Sequence, residues 1–414
     1  MAESSSAGQQ VSTGEQAVLD LISVEEIVEL TQALVAAPGE NPPGGESATT
    51  AVLAEACRSH DLRCELTEVQ PNRANLSATL DGAAGTDGAA GPGLLLLGHT
   101  DVVPIGDGWS LDPLGGQVRA GRLYGRGATD MKGGLAAAVV AMSALRKAGV
   151  ALSGPVELAA VVDEEEDGAG IQHYMAAADR SGFVGCIVAE PTDLQTIIAA
   201  RGDSYAEVTV RGRAAHAGRP SDGVNAIYGA AAVITELENW HHELATDAHP
   251  LLGPASWSVG QVHGGTGTAI VPAECVVHAD RRLLPGETSA DVGAALSARV
   301  ARLGLEQRGL SVETRMTMEM PGFETEREHP FVVVTDGAVS AAGGPRLPLG
   351  GWTAACDGGF VQRDADVPVL VLGPGSVAEQ AHSADESVGI EELHTAARAY
   401  ALAAMRLLST PERV

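Results

Sequence analysis

The sequence predicts an α/β protein with a largely parallel sheet and helices on both faces, into which a second, α+β module is inserted. Three observations carry this. Short continuous apolar runs at 94–97, 155–162 and 184–189 read as buried strands, separated by segments with helical spacing. From about Asp203 the pattern changes to longer alternating strands with two helices, the mark of an antiparallel unit. After Pro321 the first style returns, so the second module interrupts the first.

In order along the chain, residues 1–20 lack both a basic start and an apolar core, and are expected to be a disordered polar tail rather than a signal peptide. Apolar residues at helical spacing predict helices over 24–36 and 47–59, parted by a Pro-Gly-Glu-Asn-Pro-Pro-Gly-Gly turn stretch. Strands follow at 63–69 and 75–80, then a Gly/Ala-rich insertion over 82–93 expected to be a surface loop. The strand at 94–97 runs into Gly98-His99-Thr100-Asp101, a helix covers 133–148, the strand at 155–162 ends in Asp163 and three glutamates, and that at 184–189 ends in Glu190. Sites in open α/β sheets gather at the carboxyl ends of strands, where these three polar clusters fall. The inserted module has expected strands at 204–211, 256–262, 269–279 and 311–318, with helices at 223–240 and 289–303. A strand at 367–372 and a helix over 390–408 close the chain, giving one domain from 21–200 with 319–414 and a second from 201–318.

Composition excludes more than it names. The chain holds 26 Lys+Arg against 54 Asp+Glu, a net charge of −28, which repels nucleic acid and anionic membrane surfaces. The five cysteines are scattered without a C-x-x-C, so neither a disulfide framework nor a zinc ribbon is expected. Apolar runs are too short to span a bilayer, and a cytoplasmic protein is the expectation.

Chemistry is concentrated in five clusters: His99–Asp101, Gly125–Gly134, Asp163–Glu166, Ala189–Thr192 and Ala381–Ser383. Imidazoles and carboxylates without thiolate suit zinc or a similar divalent ion. His99 and Asp101 lie two apart on a strand, so Asp101 can orient the imidazole. Adjacent Glu164 and Glu165 repel unless a cation neutralises one or a proton occupies it. Taken singly, each cluster has a plainer meaning: a hydrogen-bonded strand-end histidine, a solvated acidic helix start, a phosphate turn at Gly125–Gly134. That turn, however, lacks the G-x-x-x-x-G-K-[ST] order. Five clusters sharing one chemistry outweigh the separate readings.

In these residues, from about Val24 to Leu408, the chain resembles the dinuclear zinc aminoacylase and carboxypeptidase family, which includes succinyl-diaminopimelate desuccinylase and acetylornithine deacetylase. The resemblance implies a zinc-exopeptidase-like catalytic domain and two divalent ions, zinc or cobalt. It assigns His99 and Glu190 to one ion, Glu165 and His382 to the other, and Asp130 to both. Glu164 becomes the general base, Asp101 the partner of His99, and Asp130–Met131 a cis peptide. Glu165 and Glu166 form an alternative base–ligand register, although the Asp-Glu-Glu order from Asp163 favours Glu164 and Glu165.

The inserted module resembles the family's lid and dimerisation domain through Gly212-Arg213-Ala214-Ala215-His216 with Pro220, and through Asp280-Arg281-Arg282-Leu283-Leu284-Pro285-Gly286. By the resemblance, the protein is a homodimer, His216 stabilises the oxyanion in the partner's site, and Arg282 grips the substrate's α-carboxylate. Ala269 stands where the family often has Asn in a substrate-contacting loop. The implied activity is hydrolysis of an N-acyl amino acid of the diaminopimelate or ornithine type. A carboxypeptidase or dipeptidase is the nearest alternative; a non-catalytic metal-binding scaffold and a phosphotransferase are readings of other classes.

Overall fold

The structure, a computed structural model, describes residues 10–83 and 91–409. It divides into a first unit of Met1–Ile198, Glu324–Gly350 and Phe360–Val414 and a second of Ala199–Phe323 and Gly351–Gly359. The sequence reading had left 351–359 in the first domain; instead Arg201 N–H donates to Trp352 O at 3.0 Å and ties this segment to the second unit. The expected tail lies outside the described residues over 1–9, as does most of the expected 82–93 loop. At 13–19 the tail expectation fails, because Thr13–Leu19 is a helix. Ser12 and Glu15 cap it reciprocally, Val18 and Leu19 are buried, and Arg406 Nε donates to Glu15 at 2.6 Å. Two turns with two buried apolar residues leave no readable periodicity.

In the first unit the Gly93–His99 strand lies between Val156–Val161 and Phe183–Val188, parallel to both. Val369–Val371 continues the parallel pairing beside Phe183–Val188. The flank is antiparallel: Arg73–Leu80 against Val156–Val161, then Arg63–Gln70 at the edge. Leu94–Leu97 are buried on both faces, which is why they read as an unbroken apolar run; each contributes about 1.5–3 kcal/mol. The parallel register sets His99 beside Val161 and Leu97 beside Val188. The polar residues that follow all three strands therefore emerge along one edge.

Helix Gly133–Ala148 is buried from Gly133 to Leu145, which its small side chains permit. A Cβ on Gly134 would lie 2.2 Å from Ala189 O, so only glycine lets the helix start approach the strand that carries Glu190. Gly149, at φ 64°, stops the helix in the left-handed conformation. Helices Ala169–Ala177 and Pro330–Ala341 add to this unit without having been legible in the sequence.

The second unit is an antiparallel sheet in the order Ser256–Gly264, Glu274–Leu283, Gly202–Arg211, Ser311–Met320. Helices Ala226–Leu244 and Ser289–Arg302 bury Val233, Leu237, Val292 and Leu296 with Val208, Val210 and Val277 of the sheet. The expected strand at 269–279 is split: Ile270–Val271 pairs with Ala215–His216, and Glu274–Leu283 joins the sheet. Pro272 at the break has no N–H for a ladder, and its carbonyl accepts from Ala226 N–H at 3.0 Å. Among the described residues, no helix is long and apolar enough to cross a membrane.

Candidate metal centre

The strand ends bring six side chains of the first unit together. His99 Nε2 lies 3.1 Å from Asp130 Oδ1, 3.2 Å from Glu190 Oε1 and 4.0 Å from Glu164 Oε2. His382 Nε2 lies 3.4 Å from Asp130 Oδ2 and 3.2 Å from Glu165 Oε2. The two oxygens of Asp130 thus face different histidines. The groups His99, Glu164, Glu190 and His99, Asp130, Glu165 each hold donor atoms within 4.8 Å of one another. Glu166 is exposed and belongs to neither group, whereas Glu164 and Glu165 each belong to one. The Asp130–Met131 peptide is cis.

The donor set fits divalent ions. His99 Nδ1 lies 2.9 Å from the Asp101 carbonyl oxygen, which can only accept, so Nδ1 carries the proton. A neutral imidazole then aims the Nε2 lone pair at two carboxylate oxygens, an arrangement that calls for a cation between them. Glu165 Oε1 is buried with no hydrogen-bond partner. Burial, with the nearby charge of Asp130, pushes Glu190 up to about 8. Burial also raises Glu165, against its hydrogen bond to His382. Burial opposes the charge on Asp130, yet His382 and His99 outweigh it and hold Asp130 low. Hydrogen bonds to Asp130 and Glu165 push His382 up to about 10, and His99 is raised by Glu190 against its own burial.

The next layer fixes the donors. Asp101 reaches His99 chiefly through its backbone carbonyl, its carboxylate Oδ1 being 3.5 Å away. That carboxylate accepts instead from Glu164 N–H at 3.2 Å, Glu165 N–H at 3.1 Å and Asn41 Nδ2 at 3.0 Å. Asp101 therefore holds the backbone of Glu164 and Glu165 as well as the His99 imidazole. Asn41 Nδ2 also donates to Asp163 Oδ1, which accepts from Arg73 Nη2 at 2.8 Å, and Arg73 in turn pairs with buried Glu46. Sequence reasoning missed Asn41, Arg73 and Glu46. Asp163 stood at the head of the acidic run, whereas Asn41 was hidden in a turn stretch.

Glu386 was also missed, four residues beyond His382. One of its oxygens accepts from Thr129 N–H at 2.9 Å and Asp130 N–H at 3.0 Å; the other accepts from Gly127 N–H at 3.0 Å and Arg126 Nη1 at 2.7 Å. It holds the backbone around Asp130 as a helix cap would. Glu386→Gln is expected to weaken zinc affinity about 10–100-fold, measured by competition with a chelating dye. Unchanged affinity would make its role purely structural.

His216 and Arg282 belong to the second unit. His216 is exposed, and its Nδ1 accepts from Gly218 N–H at 3.0 Å, which leaves the proton on Nε2 as an outward donor. Arg282 Nη2 lies 3.1 Å from Asp203 Oδ2 and 2.9 Å from Asp280 Oδ2, so two acids already hold the guanidinium. Ala269 presents its carbonyl to Ala217 N–H at 2.9 Å, beside the His216–Ile270 pairing.

The chain is similar to an aminopeptidase, PepT, from Bacillus cereus, with 21% identity, a TM-score of 0.74, and 94% of this chain and 100% of that one covered. It is similar to human carnosine dipeptidase 1, with 18% identity, a TM-score of 0.70, and 96% and 100% covered. A Bacillus subtilis dinuclear metal-binding peptidase, YXEP, gives 17% identity, a TM-score of 0.71, and 94% and 99% covered. These likenesses show the fold, an α/β domain with a parallel-centred sheet and a second, inserted α+β unit. The sequence pattern described as peptidase family M20/M25/M40 matches residues 95–406, well over half of the chain. On that match, the chain belongs to peptidase family M20/M25/M40.

Proposed function

We propose that this hydrolase cleaves the amide bond of an N-acylated amino acid of the succinyl-diaminopimelate or acetylornithine kind. The observation that carries the reading is the position of Glu164 among the donors, with its backbone N–H held by Asp101. Two divalent ions, zinc or cobalt, held by His99 and Glu190, by Glu165 and His382, and jointly by Asp130, would polarise the acyl carbonyl and make water acidic. Glu164 accepts a proton from the water that attacks the carbonyl carbon. The carbonyl oxygen gains negative charge in the tetrahedral intermediate. His216 Nε2–H of the partner subunit, in a homodimer formed through the second unit, donates to that oxygen. Glu164 then passes the proton to the leaving nitrogen as the C–N bond breaks. Arg282, held in place by Asp203 and Asp280, binds the substrate's carboxylate.

A second reading, a dipeptidase or carboxypeptidase, draws support from the aminopeptidase and dipeptidase among the structural relatives. The same residues would cleave a peptide bond. Assaying N-succinyl-diaminopimelate, N-acetylornithine and a set of di- and tripeptides side by side, with Zn²⁺ or Co²⁺ added, separates the two. Higher kcat/KM on the acylated amino acids supports the first reading; turnover confined to peptides overturns it. Bound metal without turnover on any of them returns the scaffold reading.

A further inference from the structure

Away from the metal centre, two of the five cysteines face each other. Cys57 lies fully buried in the last turn of helix Ser47–Ser59, and Cys64 is half-buried on the edge strand Arg63–Gln70. The chain doubles back between them, with Leu62 N–H donating to Cys57 O at 3.1 Å. Cys64 Sγ lies 3.5 Å from Leu62 O and 4.0 Å from Ala54 O, the carbonyl one helical turn before Cys57. Helical side chains lean toward the N-terminus, so the Cys57 side chain points to that same turn. The two cysteines accordingly face the same turn.

We propose that Cys57 and Cys64 form a redox-active pair, a modification site at which peroxide makes a reversible disulfide between the helix and the edge strand. The roles of the two sulfurs differ. Cys64 is the accessible one, and the Cys57 thiol beside it, with Arg58 nearby, brings it down to about 7 despite partial burial. A substantial thiolate fraction at neutral pH makes it the attacking sulfur. Cys64 beside it, together with burial, pushes the Cys57 thiol up and keeps it protonated until its partner is oxidised. A cleft of about 440 Å³ lined by Arg58, Leu62, Arg63 and Arg146, among others, opens at the same turn.

The chemistry balances as follows. The Cys64 thiolate attacks one oxygen of hydrogen peroxide; an S–O bond forms, the O–O bond breaks, and hydroxide leaves to be protonated to water. Cys57 sulfur then attacks the Cys64 sulfenic acid. The S–S bond forms, the S–O bond breaks, and the departing hydroxide takes the Cys57 proton as a second water. Two thiols lose two electrons, and one peroxide is reduced to two waters. A small dithiol reverses the step by thiol–disulfide exchange.

Trypsin cuts after Arg58, Arg63 and Arg73, so the two cysteines fall on separate peptides. The full-length protein is treated with stoichiometric hydrogen peroxide, unfolded in an alkylating agent and digested. The expected product is a Cys57–Cys64 cross-linked pair, lost on dithiothreitol treatment, while Cys186, Cys275 and Cys356 are recovered alkylated. In the native protein Cys64 is expected to react with iodoacetamide at least about tenfold faster than those three. Cys57→Ser is expected to trap Cys64 as a sulfenic acid that dimedone labels, and Cys64→Ser to leave Cys57 unreactive. Two free thiols after peroxide treatment, or Cys64 over-oxidised without a cross-link, would overturn the proposal. Either outcome is independent of the substrate.

Discussion

Glu164→Gln is expected to lower kcat about 10²–10⁴-fold while metal content stays at the level of the parent protein. The substitution keeps the shape of the side chain and removes its capacity to accept a proton. The Glu164 backbone contact with Asp101 survives, because it is made by the N–H at 3.2 Å. Metal content by elemental analysis and turnover on the best substrate of the panel separate the outcomes. A matching loss of metal would place Glu164 among the ligands, consistent with its presence in the donor group with His99 and Glu190. Activity within a few-fold of the parent would remove it from the base role.

Arg73→Met is expected to cost about 3–5 kcal/mol of stability, the usual penalty for stripping one partner from a buried charge cluster. Arg73 Nε donates to the two Glu46 oxygens at 3.0 and 2.9 Å, and Nη2 to Asp163 Oδ1 at 2.8 Å. Glu46 is wholly buried and Asp163 nearly so, and removal of the guanidinium leaves their charges facing each other without solvent. Urea unfolding reads the effect. The control is Arg63→Met, which removes an exposed pair with Asp81 and is expected to stay within about 0.5 kcal/mol of the parent. Equal midpoints for the two variants would show that the buried cluster adds nothing. Since Asp163 also receives Asn41, the partner of Asp101, the Arg73 variant is the one expected to disturb the metal centre as well.

Much of the first unit was readable because parallel strands buried on both faces must be apolar throughout and must end in polar residues where the sheet meets solvent. That single constraint placed His99, the Asp163–Glu166 run and Glu190 at one edge. Their roles as ligand, bridge or base were not readable from spacing and came from the resemblance. The residues that were missed hold others in place. Glu386 and Arg73 act through backbone amides and other carboxylates, across separations of 256 to 260 and 27 to 90 residues, and no local pattern signals such pairings. The strand that broke at Pro272 shows the opposite error, an alternation read through a residue that cannot donate to a ladder. The short helix at Thr13–Leu19 went unseen for want of a periodic face.

The order of the donors along the chain carries one more consequence. His99, Asp130, Glu164, Glu165 and Glu190 precede the second unit, and His382 with the supporting Glu386 follows it. During synthesis the nascent protein displays a half-built acidic basin while the whole second unit is still being made, an interval on the order of 10–40 s. Only when the segment carrying His382 and Glu386 emerges can the second histidine meet Asp130 and Glu165, and Glu386 accept from the Thr129 and Asp130 amides. A product truncated before His382 carries His99, Asp130, Glu164, Glu165 and Glu190 without the second histidine or Glu386.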